Sequence, residues 1–309
     1  DYMVDRYGSI GFDIDSDDWV DSFQRKFWKY TDKLHRDQWY SIGFITSVYD
    51  EPINRKSYNF KNGSAYYQNA YAKPSLMLNE LKYILGDSLY YKSIQNYFSE
   101  WKFKHVSEDR FIHSVEKTTG EKLDWFFDAW LHDTRIMDYE IDYWNKKKVL
   151  DGSYDIELKI SNLGQREMPI LIETELENGD KNTRWWKNHI SQVSDIIQYN
   201  VASKPIRITL DPRNQTVDVD FRNNSTKIET QTVFNWPSMN YNPRDSFVLK
   251  WLPLLHYNAA DQYLPGIEFE RSYGPWEIKK IRINYATKQD SSDNNNNIYW
   301  FYSGMYKPI

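Results

Sequence analysis

The hydrophobic pattern of this chain changes its period once, near Asp138, and this change constrains the fold more than any other feature. Before it, apolar residues recur every three or four positions, which is typical of amphipathic helices. After it, they recur every second position, which is typical of strands with one buried face. Because 309 residues are enough for two or three hydrophobic cores, the pattern predicts a multidomain α + β chain, helical first and β-rich afterwards.

Start and stop signals divide the first region into separate helices. Gly86 and Gly120 are placed to end helices in the left-handed conformation that glycine tolerates best. Asp87 and Ser107 are placed to cap the helices that follow. The sequence therefore predicts a helical domain over residues 1–137, with a long irregular loop at residues 41–69 and helices at residues 17–33, 75–85, 88–98, 107–118 and 123–131.

The second region divides into two β-rich parts at a polar linker, Asn223 to Thr226. Asn178-Gly179, between two alternating runs, predicts a hairpin in the first part. Residues 138–224 are predicted to form a β-sandwich with strands at residues 154–160, 170–176, 206–210 and 217–221. Residues 225–309 are predicted to form an antiparallel meander with strands at residues 247–257, 263–271, 277–286 and 298–306.

Two interpretations of the meander remain open, because its last strand is aromatic almost throughout, from Ile298 to Tyr302. It forms either the first strands of an outer-membrane β-barrel, which needs at least about eight strands, or a soluble sheet packed on the sandwich. The 25 tyrosines and 13 tryptophans of the chain suit surfaces that are apolar on one side and wet on the other.

Composition argues against several classes of function. A net charge of −5, without a basic block, argues against nucleic-acid binding. No apolar run approaches the roughly 18 residues that a membrane-spanning helix needs. The absence of cysteine excludes disulfides and thiolate metal sites.

Three motifs follow one another in the helical region. Tyr71-Ala72-Lys73 stands just before a predicted helix, the segment Tyr97 to His105 closes a later one, and Trp125-Phe126 lies in the last. In this order and spacing they resemble the gluzincin zinc aminopeptidases, the aminopeptidase N family. The resemblance covers Tyr71 to Trp130, and it departs from the family at Pro74, where many members carry glycine.

The resemblance implies a peptidase in which Tyr71 stabilises the oxyanion. In that family a zinc ion held by two histidines and a glutamate activates water, and a neutral phenol donates a hydrogen bond to the developing negative charge. This chain contains no His-Glu-x-x-His motif, and none of its six histidines lies four residues from another. Because Asp1 to Gly8 is similar to the end of the family's ligand-bearing helix, the resemblance places the zinc ligands upstream and assigns no metal ligand within this chain.

Acidic residues elsewhere give weaker hypotheses. Two sets alternate along predicted strands and are candidate cation sites, although solvated strand faces are commoner: Asp138, Glu140 and Asp142 in one set, Asp218 and Asp220 in the other. Asp50-Glu51 in the long loop is a candidate for the substrate cleft, where it would bind a free peptide amine.

The predicted function is a share of a zinc metallopeptidase, an aminopeptidase with peptide substrates, whose catalytic residue in this chain is Tyr71. By itself this stretch is predicted to be inactive. Its expected location is a bacterial cell envelope, in the periplasm or the outer membrane. The alternative is a non-catalytic relative that serves as a peptidase-like binding or assembly module with an envelope protein as partner. A His-Glu-x-x-His motif in preceding sequence would separate the two.

Overall fold

The computed structural model describes residues 33–187, 194–235, 241–259, 262–274, 277–286 and 298–306. The chain divides into two compact units, one formed by residues 40–227 and the other by residues 1–39 together with residues 228–309. The helix predicted at residues 17–33 lies outside the described residues except for Lys33, where the first described helix begins. None of the helices in the described ranges is long and apolar enough to cross a membrane.

The helices precede the strands, as the change of period predicts. They are α1 (Lys33–Ile45), α2 (Gly63–Tyr67), α3 (Lys73–Trp101), α4 (Glu108–Thr119) and α5 (Asp124–Leu131), with a 3₁₀ turn at Ser57–Asn59 and a π-helical turn at Gln68–Ala72. The prediction of an irregular loop over residues 41–69 is therefore wrong at both ends, where α1 and α2 lie. The irregular part is confined to the stretch between them.

Glycines end or interrupt the helices where the sequence places them. Gly120 follows α4 in the left-handed conformation, with φ 75°, as predicted for a C-terminal cap. Gly86, with φ 73° and ψ 162°, breaks the helical geometry inside α3, so that α3 consists of two helices that meet at a kink, as the sequence predicts. Ser107 stands at the N-cap position of α4, where the sequence places it, and its side chain makes no hydrogen bond to the helix.

Two three-stranded sheets pack against each other after the helices, in the orders β1-β2-β5 and β4-β3-β6. Contacts join their inner faces: the hydroxyls of Thr174 and Tyr199 lie 2.7 Å apart, and the ring of Tyr139 packs edge-on against Trp186. Gly179, with φ 88°, makes the predicted hairpin turn between β3 and β4. The strands are β1 (Tyr139–Lys148), β2 (Tyr154–Asn162), β3 (Ile170–Leu176), β4 (Lys181–Trp186), β5 (Ser194–Val201) and β6 (Pro205–Leu210).

The segment predicted as a strand at residues 217–221 is not one. Val217, Val219 and Phe221 are buried, but the backbone makes only an isolated bridge, between Asp218 and Met137. Apolar alternation therefore predicts correctly that these side chains are buried, but wrongly that the backbone pairs with a neighbouring strand.

The second unit contains a five-stranded sheet in the order β11-β10-β9-β8-β7. The antiparallel meander is confirmed for its last four strands. The sequence analysis missed β7, which pairs with β8 in parallel. The strands are β7 (Glu229–Phe234), β8 (Ser246–Asn258), β9 (Gln262–Tyr273), β10 (Glu277–Tyr285) and β11 (Ile298–Tyr306).

Candidate active site

Tyr71 lies in a π-helical turn at the junction of α2 and α3. A π turn inserts extra backbone between two helical segments, and such turns often mark functional sites. Asn69 in the same turn is buried, and its side-chain amide donates to the carbonyl of Ala65 in α2, 2.9 Å away. The Tyr71 side chain points the other way and is 58% exposed. The turn therefore buries the side chain of Asn69 and exposes the phenol of Tyr71 to solvent.

Two further tyrosine rings lie beside the Tyr71 ring. The ring of Tyr67 lies 5.7 Å from that of Tyr71, and the ring of Tyr66 lies 6.2 Å from it in an edge-on arrangement. A hydrogen bond with Tyr71 raises the pKa of Tyr66, so Tyr66 keeps its proton at neutral pH. The three rings form a patch of tyrosine side chains beside the turn.

Lys73, the first residue of α3, is buried and anchors the beginning of this helix. Its ammonium donates to a carboxylate oxygen of Asp50 at 2.8 Å and to the backbone carbonyl of Glu51 at 2.7 Å. Burial lowers the pKa of Lys73 and raises that of Asp50, and the attraction between the two charges opposes both shifts. A buried pair of this kind ties the irregular segment after α1 to the helix that directly follows the turn with Tyr71.

Glu51 is also occupied within the chain. Its carboxylate accepts a hydrogen bond from the backbone amide of Lys61 at 2.9 Å and forms an ion pair with Arg55. Both Asp50 and Glu51 have nearly inaccessible carboxylates. The hypothesis that these two residues line a substrate cleft is therefore wrong, and their role is to hold the loop.

The later motif residues serve packing. At the end of α3, the Trp101 ring lies under the guanidinium of Arg110, with 4.5 Å between the guanidinium carbon and the ring centroid. His132 after α5 is held between Glu108, 2.6 Å from Nε2, and Asn54, 2.6 Å from Nδ1. These contacts close the helical region.

Glu80 is a residue that the sequence analysis did not single out. Its buried carboxylate accepts three hydrogen bonds: from Trp130 Nε1 at 2.8 Å, from Arg166 at 3.0 Å and from the backbone amide of Val217 at 2.7 Å. The guanidinium of Arg166 also stacks on the Trp130 ring at 4.3 Å. We call this set the Glu80 cluster, and it joins α3 and α5 to the sandwich. In the sequence, only the position of Glu80 among the apolar residues of an amphipathic helix could have indicated this role.

The described residues do not offer a zinc site: no group of three or more His, Asp or Glu side chains within them is arranged to hold a metal ion. The two acidic sets that the sequence analysis named as candidate cation sites make contacts within the sandwich instead. Asp142 pairs with Lys159 at 2.6 Å, beside a register shift between Ile141 and Tyr143 that ends the alternation of β1. Buried Asp218 accepts from the amide of Tyr139 at 3.0 Å. These carboxylates serve the sandwich.

Comparison with known proteins gives matches of two kinds, to a family model and to solved structures. The model of the peptidase family M1 domain matches residues 20–130. Among solved structures, aminopeptidase A of Legionella pneumophila, determined in complex with aspartic acid, is similar at 16% sequence identity with a TM-score of 0.41. The match covers 55% of this chain, which spans only 20% of that aminopeptidase. No curated protein matches the chain.

The matched stretch contains the whole run of motifs from Tyr71 to Trp130 and all but one residue of the last helix, α5. The stretch from residue 20 to residue 130 therefore matches the M1 peptidase family, the family that the sequence motifs indicate.

Proposed function

We propose that this chain is part of an M1-type aminopeptidase and that Tyr71 donates a hydrogen bond to the oxyanion formed when water attacks the peptide carbonyl. The observation that carries the proposal is the placement of Tyr71, an exposed phenol on a π-helical turn within the segment that matches the family. The substrates are peptides, cleaved from the amino end. Zinc is the cofactor that the family implies, and the described residues supply no ligands for it, so we assign no zinc ligand to them.

A phenol suits this task for a simple electrostatic reason. With an ordinary pKa near 10, it is neutral at pH 7 and still donates its proton in a hydrogen bond. A donor that is aimed at charge developing in the transition state lowers the barrier, and one such donor is worth about 2.7–4 kcal/mol. The anchored start of α3 helps because a donor that is already in place needs no reorganisation during the reaction.

The test is the substitution Tyr71→Phe in the complete protein, assayed with aminoacyl and peptide substrates. We expect kcat to fall by about 10²- to 10³-fold with KM little changed, because the lost interaction exists only in the transition state. The matched control is Tyr67→Phe, which removes a hydroxyl from the neighbouring exposed ring and should leave kcat within about twofold.

Two results would contradict the proposal. If Tyr71→Phe keeps full activity in an active protein, the phenol is not the oxyanion donor. If the unsubstituted complete protein cleaves no peptide, the alternative of a non-catalytic binding or assembly module in the cell envelope takes precedence. Circular dichroism of both variants checks that neither change unfolds the helical region.

A further inference from the structure

One face of the five-stranded sheet is apolar and exposed on every strand. A single rung of paired residues crosses the sheet from edge to edge: Phe234, Trp251, Phe269, Ile281 and Tyr302. All five side chains are exposed. The next rung, Pro253, Ile267, Ile283 and Trp300, continues the pattern across β8 to β11. We call the surface that these rungs form the apolar face.

The apolar face has a defined height. At one end, Tyr257 of β8 and Tyr263 of β9 pair, with ring centroids 5.3 Å apart. At the other end, the rung beyond Phe269 brings in Arg271 and Lys279, both well exposed. From Trp251 to Tyr257 the strand rises about 20 Å at roughly 3.3 Å per residue. The face is therefore a band without charged side chains, bounded by tyrosines on one side and by cations on the other.

The opposite face carries the charges. Lys250, Glu270 and Lys280 share one rung, with the carboxylate 3.4 Å from the first ammonium and 3.2 Å from the second. On the next rung Glu268 pairs with Arg282 at 2.6 Å. Lys250 and Glu268 are buried, whereas the apolar rungs are exposed. This is the reverse of a sheet in water, where the apolar side is covered and the charged side is solvated.

We propose that the apolar face contacts the hydrocarbon of a lipid bilayer. Membrane-spanning strands carry outward apolar side chains and inward polar ones, in a band about 25 Å tall with aromatic side chains at its interfaces. The two central antiparallel pairs have strands of 13, 12 and 9 residues, at or above the roughly 9–11 that a tilted strand needs to span the bilayer. This inference concerns the second unit alone and does not depend on the proposed peptidase function.

Charge favours lipid over a protein partner. Protein interfaces are specified by about one hydrogen bond per 100–200 Å², whereas the rungs between Trp251 and Leu255 offer no charged group to a partner. The exposed cations of the apolar face lie at its rim, where Arg271 and Lys279 both pair with Glu277 and where cations suit anionic lipid headgroups. In hydrocarbon an unpaired strand edge is costly, so the outer edge of β11 would pair with a further strand in the bilayer.

The alternation along β11 gives a direct test. Tyr302 lies on the apolar face and Phe301 on the other, yet both are aromatic and similarly exposed, at 56% and 54%. This chain contains no cysteine, so Tyr302→Cys and Phe301→Cys each introduce one labelling site. The complete protein, with any cysteine elsewhere replaced by serine, is labelled with an environment-sensitive fluorophore and mixed with phosphatidylcholine–phosphatidylglycerol vesicles whose acyl chains are brominated.

We expect quenching at position 302 to exceed that at position 301 by at least about threefold, and Trp300→Cys to exceed Tyr299→Cys in the same way. Ile283→Lys should lower co-flotation with the vesicles about tenfold or more, whereas Leu150→Lys, which adds the same charge to an exposed site of the sandwich, should not. Equal quenching at positions 301 and 302 would overturn the proposal. So would a protein that stays in the aqueous phase, whether as a monomer or with the apolar face covered by a second copy.

Discussion

Replacing Glu80 by glutamine should destabilise the helical and sandwich unit severely. The carboxylate satisfies three donors from three different parts of that unit, and Arg166 is the cation that balances it. Glutamine keeps the length of the side chain but has one acceptor oxygen and carries no charge. One of its two ends would therefore direct an N–H at a donor, either Trp130 or the pair formed by Arg166 and Val217.

Two estimates of the free energy of unfolding that Glu80→Gln would remove agree. Removing one member of a buried ion pair leaves the other uncompensated and costs about 3–5 kcal/mol. Counted by hydrogen bonds, losing one bond to a charged group costs about 1.5–3 kcal/mol, and a buried donor left unsatisfied costs about 1–3 kcal/mol more. Both sums are a large fraction of the roughly 5–15 kcal/mol by which a typical domain is stable.

The assay is urea denaturation of the complete protein, followed by circular dichroism at 222 nm, since α2 to α5 all lie in this unit. The control is Glu100→Gln, on the same helix but exposed, which should change the free energy of unfolding by less than about 0.5 kcal/mol. In a double-mutant cycle, Glu80→Met with Arg166→Met should lose less than the sum of the single changes, because no buried charge is left unpaired. A loss below about 1 kcal/mol for Glu80→Gln would refute the reasoning.

Two further predictions concern buried charges in the same unit. Lys73→Met should lower the free energy of unfolding by about 3–5 kcal/mol, because it leaves the buried carboxylate of Asp50 without its cation; the exposed Lys117→Met is its control in the same urea assay, and equal small losses would contradict the assigned role. Burial raises the pKa of Asp218 from 3.8 to about 7, so the stability that its proton supplies is fully present below pH 3.8 and is lost as the pH rises to about 7. Asp218→Asn should therefore flatten the fall in stability over that range, and an unchanged slope in thermal denaturation would count against the raised pKa.

The parts of the fold that sequence predicts well are those whose signals are local. The helix α4 begins with Glu108 and Asp109 and ends at Gly120, and the hairpin between β3 and β4 turns at Asn178-Gly179. Each signal acts within a few residues through backbone conformation or the helix dipole. Strands with strict apolar alternation, such as β3, are also predicted, because alternate side chains are buried.

The missed elements depend on partners that are distant in sequence. β4 reads Lys-Asn-Thr-Arg-Trp-Trp and has only one buried residue, so its bounds are not visible in the apolar pattern, and its strand conformation follows from pairing with β3. The strand predicted at Val217 is wrong for the opposite reason. Its apolar alternation is clear, but the backbone amide of Val217 donates a hydrogen bond to Glu80, 137 residues away in sequence, and not to a neighbouring strand. Backbone partners of this kind cannot be read from local pattern.

The candidate site divides in the same way. The catalytic role of Tyr71 stays a prediction that rests on the order of the motifs behind it, because one tyrosine among 25 carries no chemical signal of its own. The ion pair of Lys73 with Asp50 was missed because the two residues are 23 apart in sequence. The sequence indicates a substrate ligand at Asp50 because it gives no sign that Lys73 of the same chain neutralises this carboxylate.

The structure also explains why a phenol at this place can be held rigidly while it stays exposed. Lys73 and Glu80 are seven residues apart, so they lie on the same side of α3, with Leu76 and Met77 buried between them. Both ends of these two helical turns are fixed by buried ionic contacts, one to the loop at Asp50 and one to the Glu80 cluster. The positive charge of Arg166 also contributes to lowering the pKa of Lys73, after burial itself, so the two contacts lie close enough to act on each other. Because the π turn comes directly before these two turns, the backbone that carries Tyr71 starts from a fixed point while its side chain faces solvent.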